Sequence, residues 1–173
     1  MAQRIRAIET RYAGHRFRSR LEARWAVFFD ALGIDWEYEA DGFETPAGRY
    51  LPDFRIELHF PFSTWTWFEV KPPGAADDPR HQAFVDGGNF LTIARGIPRS
   101  YADQYGPRHF LITHDPRNSP FSRPGNVQRV GFWYSPSTKR TTTFTASTEP
   151  NRWIDAAYAA ARSARFEHGE TGR

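Results

Sequence analysis

Residues Trp65 to Lys71 read Trp-Thr-Trp-Phe-Glu-Val-Lys. Side chains alternate along a strand, so Trp65, Trp67, Glu69 and Lys71 share one face while Phe68 and Val70 take the other. Such a strand is apolar on both sides along most of its length, which places it centrally in a sheet. Glu69 and Lys71 appear abruptly at its end, just before the Pro72-Pro73-Gly74 break. Charges there are costly unless they are paired or exposed in a cleft.

The flanking segments supply the rest of an α/β order. Leu21, Trp25, Phe28, Phe29 and Leu32 repeat at helical spacing and Gly33 ends the pattern, predicting a helix from Phe17 onward. Ile34 to Glu39 alternates apolar and charged residues and predicts a half-buried strand. After breaks at Asp41-Gly42 and Pro46 to Gly48, Leu51 to Leu58 alternates again, with Phe54, Ile56 and Leu58 opposite Asp53, Arg55 and Glu57. Asp77 to Asp86 predicts a short helix capped by Asp77 or Asp78 and stopped by Gly87-Gly88, and Phe90 to Ala94 a buried strand. Strands are also expected at His109 to Thr113, Val127 to Tyr134 and Arg140 to Thr145, and an alanine-rich helix from Asn151 to Phe166.

A chain of 173 residues is long enough for one domain with a real core. The expected organisation is a basic N-terminal arm (1–16), a core (17–106), a β-rich extension of the same domain (107–149), and a terminal helix with its tail (150–173). The net charge is +3, and Arg4, Arg6, Arg11, Arg16, Arg18, Arg20 and Arg24 crowd the first 24 residues. That distribution suits a polyanionic partner, as it would suit a solvated helix face. The absence of cysteine excludes disulfides and thiolate metal sites. No apolar run approaches the roughly 20 residues that span a bilayer, and the N-terminus lacks a signal-peptide core. A cytoplasmic protein, bacterial or in the host cytoplasm if phage-encoded, is the expectation.

If the segments carrying Pro52-Asp53 and Glu69-Val70-Lys71 pair, two carboxylates and an ammonium meet at the rim of one sheet. Carboxylates hold Mg²⁺ or Mn²⁺, and a lysine beside them can serve the attacking water or the developing charge, which is what metal-dependent phosphodiester cleavage needs. Lys71 and Lys139 are the two lysines in a chain with 23 basic residues, so Lys71 is not drawn from a common pool. Glu22 is a third carboxylate at the edge of the helix stripe. Ser19-Arg20-Leu21-Glu22 also matches a helix capping box, in which the glutamate would reach back to the cap. A helix beginning near Phe17 would weaken that second reading.

Other chemistry is less supported. His114-Asp115 is a lone dipeptide, the other histidines lack metal-ligand spacing, and there is no Walker loop or GxGxxG. His81 reads as a surface helix residue. Trp65, Trp67, Trp133, Tyr134 and Trp153 could stack on bases, but aromatics at these periods read better as core. Arg162 and Arg165 suit either a phosphate backbone or solvent.

In its helix–three strands–helix–strand order, in Pro52-Asp53, in Glu69-Val70-Lys71 and in the helix-borne Glu22, the chain resembles the PD-(D/E)xK nuclease superfamily over roughly residues 17 to 95. It is similar in arrangement to Holliday-junction resolvases and transposon-type endonucleases, and to small nuclease-like proteins of actinobacterial phages and prophages. The resemblance implies a restriction-endonuclease-like αβββαβ core and a Mg²⁺- or Mn²⁺-dependent DNA endonuclease in phage- or mobile-element-related DNA processing. It implies Asp53, Glu69, the Val70 carbonyl and Glu22 as metal ligands, with Glu22, Asp53, Glu69 and Lys71 as the catalytic set. Gln82 would be a helper on the second helix, and Arg18, Arg20 and Arg24 would hold phosphates. DNA is the expected partner, a homodimer and other DNA-processing proteins being compatible with the same reading. The alternative is a non-catalytic nucleic-acid- or protein-binding module on a nuclease-like scaffold.

Overall fold

In the computed structural model, residues 8–59, 63–98, 109–112, 127–135, 140–145 and 152–166 are described. The chain opens with a hairpin of β1 (Thr10–Tyr12) and β2 (His15–Phe17). Its two-residue turn, Ala13-Gly14, has positive φ at both positions (47° and 81°), the backbone that keeps a tight hairpin in register with strand twist. Residues 10–16 of the expected basic arm therefore lie in a two-stranded ribbon. Phe17 ends β2 and is fully buried, with its ring 4.5 Å from Tyr38 and 6.0 Å from Phe54. Helix α1 (Arg20–Ala31) accordingly starts three residues later than the apolar pattern predicts, because Phe17 spends its side chain on the sheet and Ser19 caps the helix.

Strand β3 (Trp36–Tyr38) follows, then a second hairpin, β4 (Phe43–Thr45) and β5 (Gly48–Tyr50), in the stretch that the turn residues had marked only as a break. Next come β6 (Phe54–His59), β7 (Ser63–Lys71), helix α2 (Pro79–Asp86) and β8 (Leu91–Arg95). Asp78 caps α2 and Gly87 closes it. Phe90, expected at the start of a buried strand, lies outside β8 and is exposed. Strands β9 (His109–Ile112), β10 (Val127–Ser135) and β11 (Arg140–Thr145) and helix α3 (Arg152–Ser163) complete the described elements.

Seven strands form one sheet in the order β11-β10-β9-β8-β7-β6-β3. Its β7–β8 pair is parallel and the other pairs are antiparallel. A parallel pair needs a crossover, and α2 supplies it. On one face Phe54, Ile56, Phe68, Val70 and Ala94 pack under α1 and α3, with Phe28 stacked on Tyr158 at 4.6 Å. On the other, Leu91, Ile93 and Trp67 pack under α2 and the β4–β5 hairpin through Phe84, Val85, Phe43 and Tyr50. From Thr66 to Val70, β7 is thus covered on both sides, as its pattern demands, whereas Trp65 nearer its start is exposed. The expectations at His114-Asp115 and within residues 1–7 lie outside the described residues.

Candidate active site

The β6–β7 register pairs Phe54 with Phe68. Continued by one residue, it sets Asp53 opposite Glu69 just beyond the formal start of β6. Both are on the α2 face, because Phe54 and Phe68 point to the α1 face. The N-terminus of α1 brings Glu22 to the same end of the sheet. Glu22, Asp53 and Glu69 are 8%, 5% and 3% exposed. Together with Arg18, Val70 and Lys71 they line a cleft of about 520 Å³, walled on its far side by the β4–β5 hairpin and Arg80.

Every carboxylate in this cleft is held. The Val70 N–H donates to Asp53 Oδ2 at 2.8 Å, and Arg18 Nη2 to Oδ1 at 2.9 Å. Tyr50 Oη donates to Glu69 Oε2 at 2.8 Å, while Lys71 Nζ pairs with Glu69 Oε1. Glu22 accepts from Ser19 Oγ and Tyr38 Oη, each at 2.6 Å, and from the Arg18 N–H at 3.1 Å. The Glu22 N–H in turn donates to Ser19 Oγ at 3.2 Å. Ser19-to-Glu22 is therefore a capping arrangement in which the glutamate reaches Arg18 N–H rather than the Ser19 N–H. Capping and a place in the cleft, which the sequence offers as alternatives, coincide in one residue.

The two facing carboxylates are driven in opposite directions. Burial, then Glu69 and Glu22, raise the Asp53 pKa well above the ordinary carboxylate value, and the Val70 N–H and Arg18 offset this only in part. Burial also acts to raise Glu69, but the neighbouring His81, Lys71 and Tyr50 prevail and hold it low. His81 Nε2 itself stands 3.6 Å from Glu69 Oε1, beyond good hydrogen-bond reach, and has no hydrogen-bond partner. One carboxylate thus favours a proton while its neighbour favours charge. The carboxylates that line the cleft are balanced by Arg18, Arg49, Lys71 and Arg80, and the donors that Glu22, Asp53 and Glu69 offer are hard oxygens, the kind that Mg²⁺ or Mn²⁺ takes. Among the described residues, no three His, Asp or Glu side chains are grouped closely enough to hold an ion as they stand. Cation binding would require the ion pairs in the cleft to rearrange.

Of the arginines expected to meet substrate, only Arg18 lines this cleft. Arg24 Nη1 donates to Ala161 O at 3.0 Å and to Arg162 O, tying α1 to the end of α3. Arg20 does not line the cleft either. Gln82 is exposed and donates to Asp86 at 2.8 Å, one helical turn along α2. The α2 residue that approaches Glu69 is instead its neighbour His81, which is buried against Tyr50 rather than on the surface. Tyr38 and Tyr50 were not singled out from the sequence. The signal available for them was a tyrosine at the end of each strand-like run that leads to the carboxylates.

No family model, curated protein or solved structure matches this chain.

Proposed function

We propose that this protein is a divalent-metal-dependent deoxyribonuclease of the PD-(D/E)xK type, an endonuclease serving phage- or mobile-element-related DNA processing in a cytoplasm. One observation carries the reading: Glu22, Asp53, Glu69 and Lys71, drawn from α1, the start of β6 and the end of β7, line a single cleft, where burial and then the neighbouring carboxylates raise Asp53. The order α1-β3-β6-β7-α2-β8 is consistent with it. No helix among the described residues is long and apolar enough to cross a membrane.

Asp53 and Glu69, with the Val70 carbonyl and Glu22, would hold Mg²⁺ or Mn²⁺. When bound, such an ion polarises a phosphoryl oxygen and lowers the pKa of a bound water. Glu22, held by Tyr38 and Ser19, offers a fixed acceptor for a water proton. Lys71, half-buried beside Glu69, faces the place where charge develops on phosphate. An ammonium preorganised in a water-poor cleft contributes about 3–4 kcal/mol in roles of this kind. Hydrolysis in this scheme leaves a 5′-phosphate, as the resemblance implies.

The test is cleavage of supercoiled plasmid, single-stranded circles and branched DNA with Mg²⁺, Mn²⁺ or EDTA, with Asp53→Asn and Glu69→Gln as controls. Cation-dependent cutting lost in both variants is the expected result. DNA binding without cutting of any substrate would favour a non-catalytic binding module.

A further inference from the structure

The side chain of Arg18 is rooted in the site but open to solvent. Its backbone N–H donates to Glu22 Oε2 and Tyr38 Oη, both at 3.1 Å, between buried Phe17 and the α1 cap Ser19. Its guanidinium nevertheless has a side chain 55% exposed at the mouth of the cleft. There it is shared. Nη2 lies 2.9 Å from Asp53 Oδ1, and Nε lies 2.7 Å from Glu39 Oε1. Glu39 holds a positive φ of 49°, a conformation that side-chain-bearing residues adopt at a cost and that gathers at functional sites.

Asp53 Oδ2 accepts from the fixed Val70 N–H, whereas Oδ1 accepts from a side chain that can leave, so Oδ1 is the oxygen that Arg18 controls. A divalent ion cannot share Oδ1 with a guanidinium without like charges meeting at contact distance. We propose that Arg18 is a displaceable counter-ion of Asp53: it neutralises the carboxylate in the cation-free protein, yields Oδ1 to the incoming ion, and swings toward Glu39 and the mouth to receive a DNA phosphate. The proposal rests on the metal-dependent reading above. A guanidinium suits the second task because its planar fork matches phosphate oxygens.

The experiment measures Mn²⁺ affinity by calorimetry for the wild type, Arg18→Met, Arg49→Met and Asp53→Asn. Arg49 lines the same cleft, and its side chain is 89% exposed and paired with Glu44 rather than Asp53. Arg18→Met should bind Mn²⁺ about tenfold more tightly, since one adjacent charge moves a proton affinity by about one to three decades, and Arg49→Met should change little. Arg18→Met should also raise KM for DNA more than it lowers kcat. On the wild-type protein, NMR of the Arg18 side-chain N–H groups during Mg²⁺ titration should show the Asp53-bound arm losing its protection from exchange. Mn²⁺ affinity unchanged in Arg18→Met, or tightened equally in Arg49→Met, overturns the counter-ion role. So does an Arg18 signal that Mg²⁺ leaves unmoved, a result that does not depend on the variant folding. An unchanged KM overturns the phosphate role. Absence of Mn²⁺ binding in all four proteins instead overturns the metal-dependent reading itself.

Discussion

The Val70 N–H donates to Asp53 Oδ2 at 2.8 Å, so the strand that carries Glu69 and Lys71 also fixes the carboxylate that faces them. A backbone donor between two acidic side chains cannot move independently of either.

Asp53→Asn should stabilise the cation-free protein at neutral pH. The folded-state pKa of Asp53 is raised above its unfolded value of 3.8, so the folded protein binds this proton more tightly than the unfolded chain. Below the unfolded pKa the residue carries no penalty. The penalty grows as pH rises and is complete above the folded pKa. Asparagine keeps an acceptor for the Val70 N–H without the charge. The melting temperature of the variant should exceed that of the wild type at pH 7 and converge with it at acid pH, each 1 kcal/mol being worth about 2–4 °C in a domain of this size. Mn²⁺ should no longer raise it. Scanning calorimetry across pH checks both points, and a lower melting temperature at pH 7 would count against the raised proton affinity of Asp53.

Glu69 has the opposite sign, and Lys71 is one of its supports. A lowered folded pKa contributes stability that is present above the unfolded value of 4.5 and is lost as pH falls through the folded value. Lys71→Met removes a pairing charge while keeping the apolar stem, so acid unfolding should begin at higher pH. Turnover should drop by about 10²–10³. Lys71→Arg keeps the charge as a bulky fork that does not release a proton near neutral pH, and it should rescue turnover only weakly. Full activity in the arginine variant would remove any special task from the lysine.

Glu22→Gln separates the two roles that coincide at that position. Glutamine can still serve the capping arrangement, so the loss of stability should stay within about 0.5–2 kcal/mol. Turnover should nevertheless be abolished, because an amide neither takes a proton from water nor ligates as an anion. Chemical denaturation and single-turnover cleavage measured on the same preparation distinguish these effects.

Tyr50→Phe tests the hold on Glu69. The hydroxyl donates to Oε2 from the β4–β5 hairpin, and its ring packs 5.1 Å from Phe84. Phenylalanine keeps the packing and loses the bond. Loss of an outer partner of a metal ligand costs about 10–100-fold in cation affinity. Calorimetric titration with Mn²⁺ should show that loss with little change in the circular dichroism spectrum.

Local periodicity was enough for much of this molecule. The two-faced apolar run of β7, the alternation along β6 and an aspartate cap with a glycine stop on α2 are encoded within a few residues each, and the structure has them in place, with Asp78 as the cap. Asp53, Glu69 and Lys71 could be proposed together because strand parity puts them on one face once β6 and β7 pair. The start of α1 was misplaced because Phe17 fits a helical stripe as well as a strand end, and only the sheet surface decides between them. Gln82 and His81 failed for a similar reason: a one-residue difference on a short helix is a rotation of about 100°, which sequence pattern alone does not fix.

The sequence by itself determined which residues carry charge into the sheet and which strands are buried, because propensity, alternation and breaker residues act over short range. Tertiary structure decided what surrounds those charges. The β4–β5 hairpin closes over the cleft, Tyr38 and Tyr50 arrive from separate strands, and Arg18 reaches Asp53 across 35 residues of chain. It also decided that Arg24 ties down α3 instead of facing substrate. Proton affinity follows from burial and from neighbours within a few ångströms. Asp53 and Glu69, much alike as residues, are therefore driven apart only once the chain is folded around them.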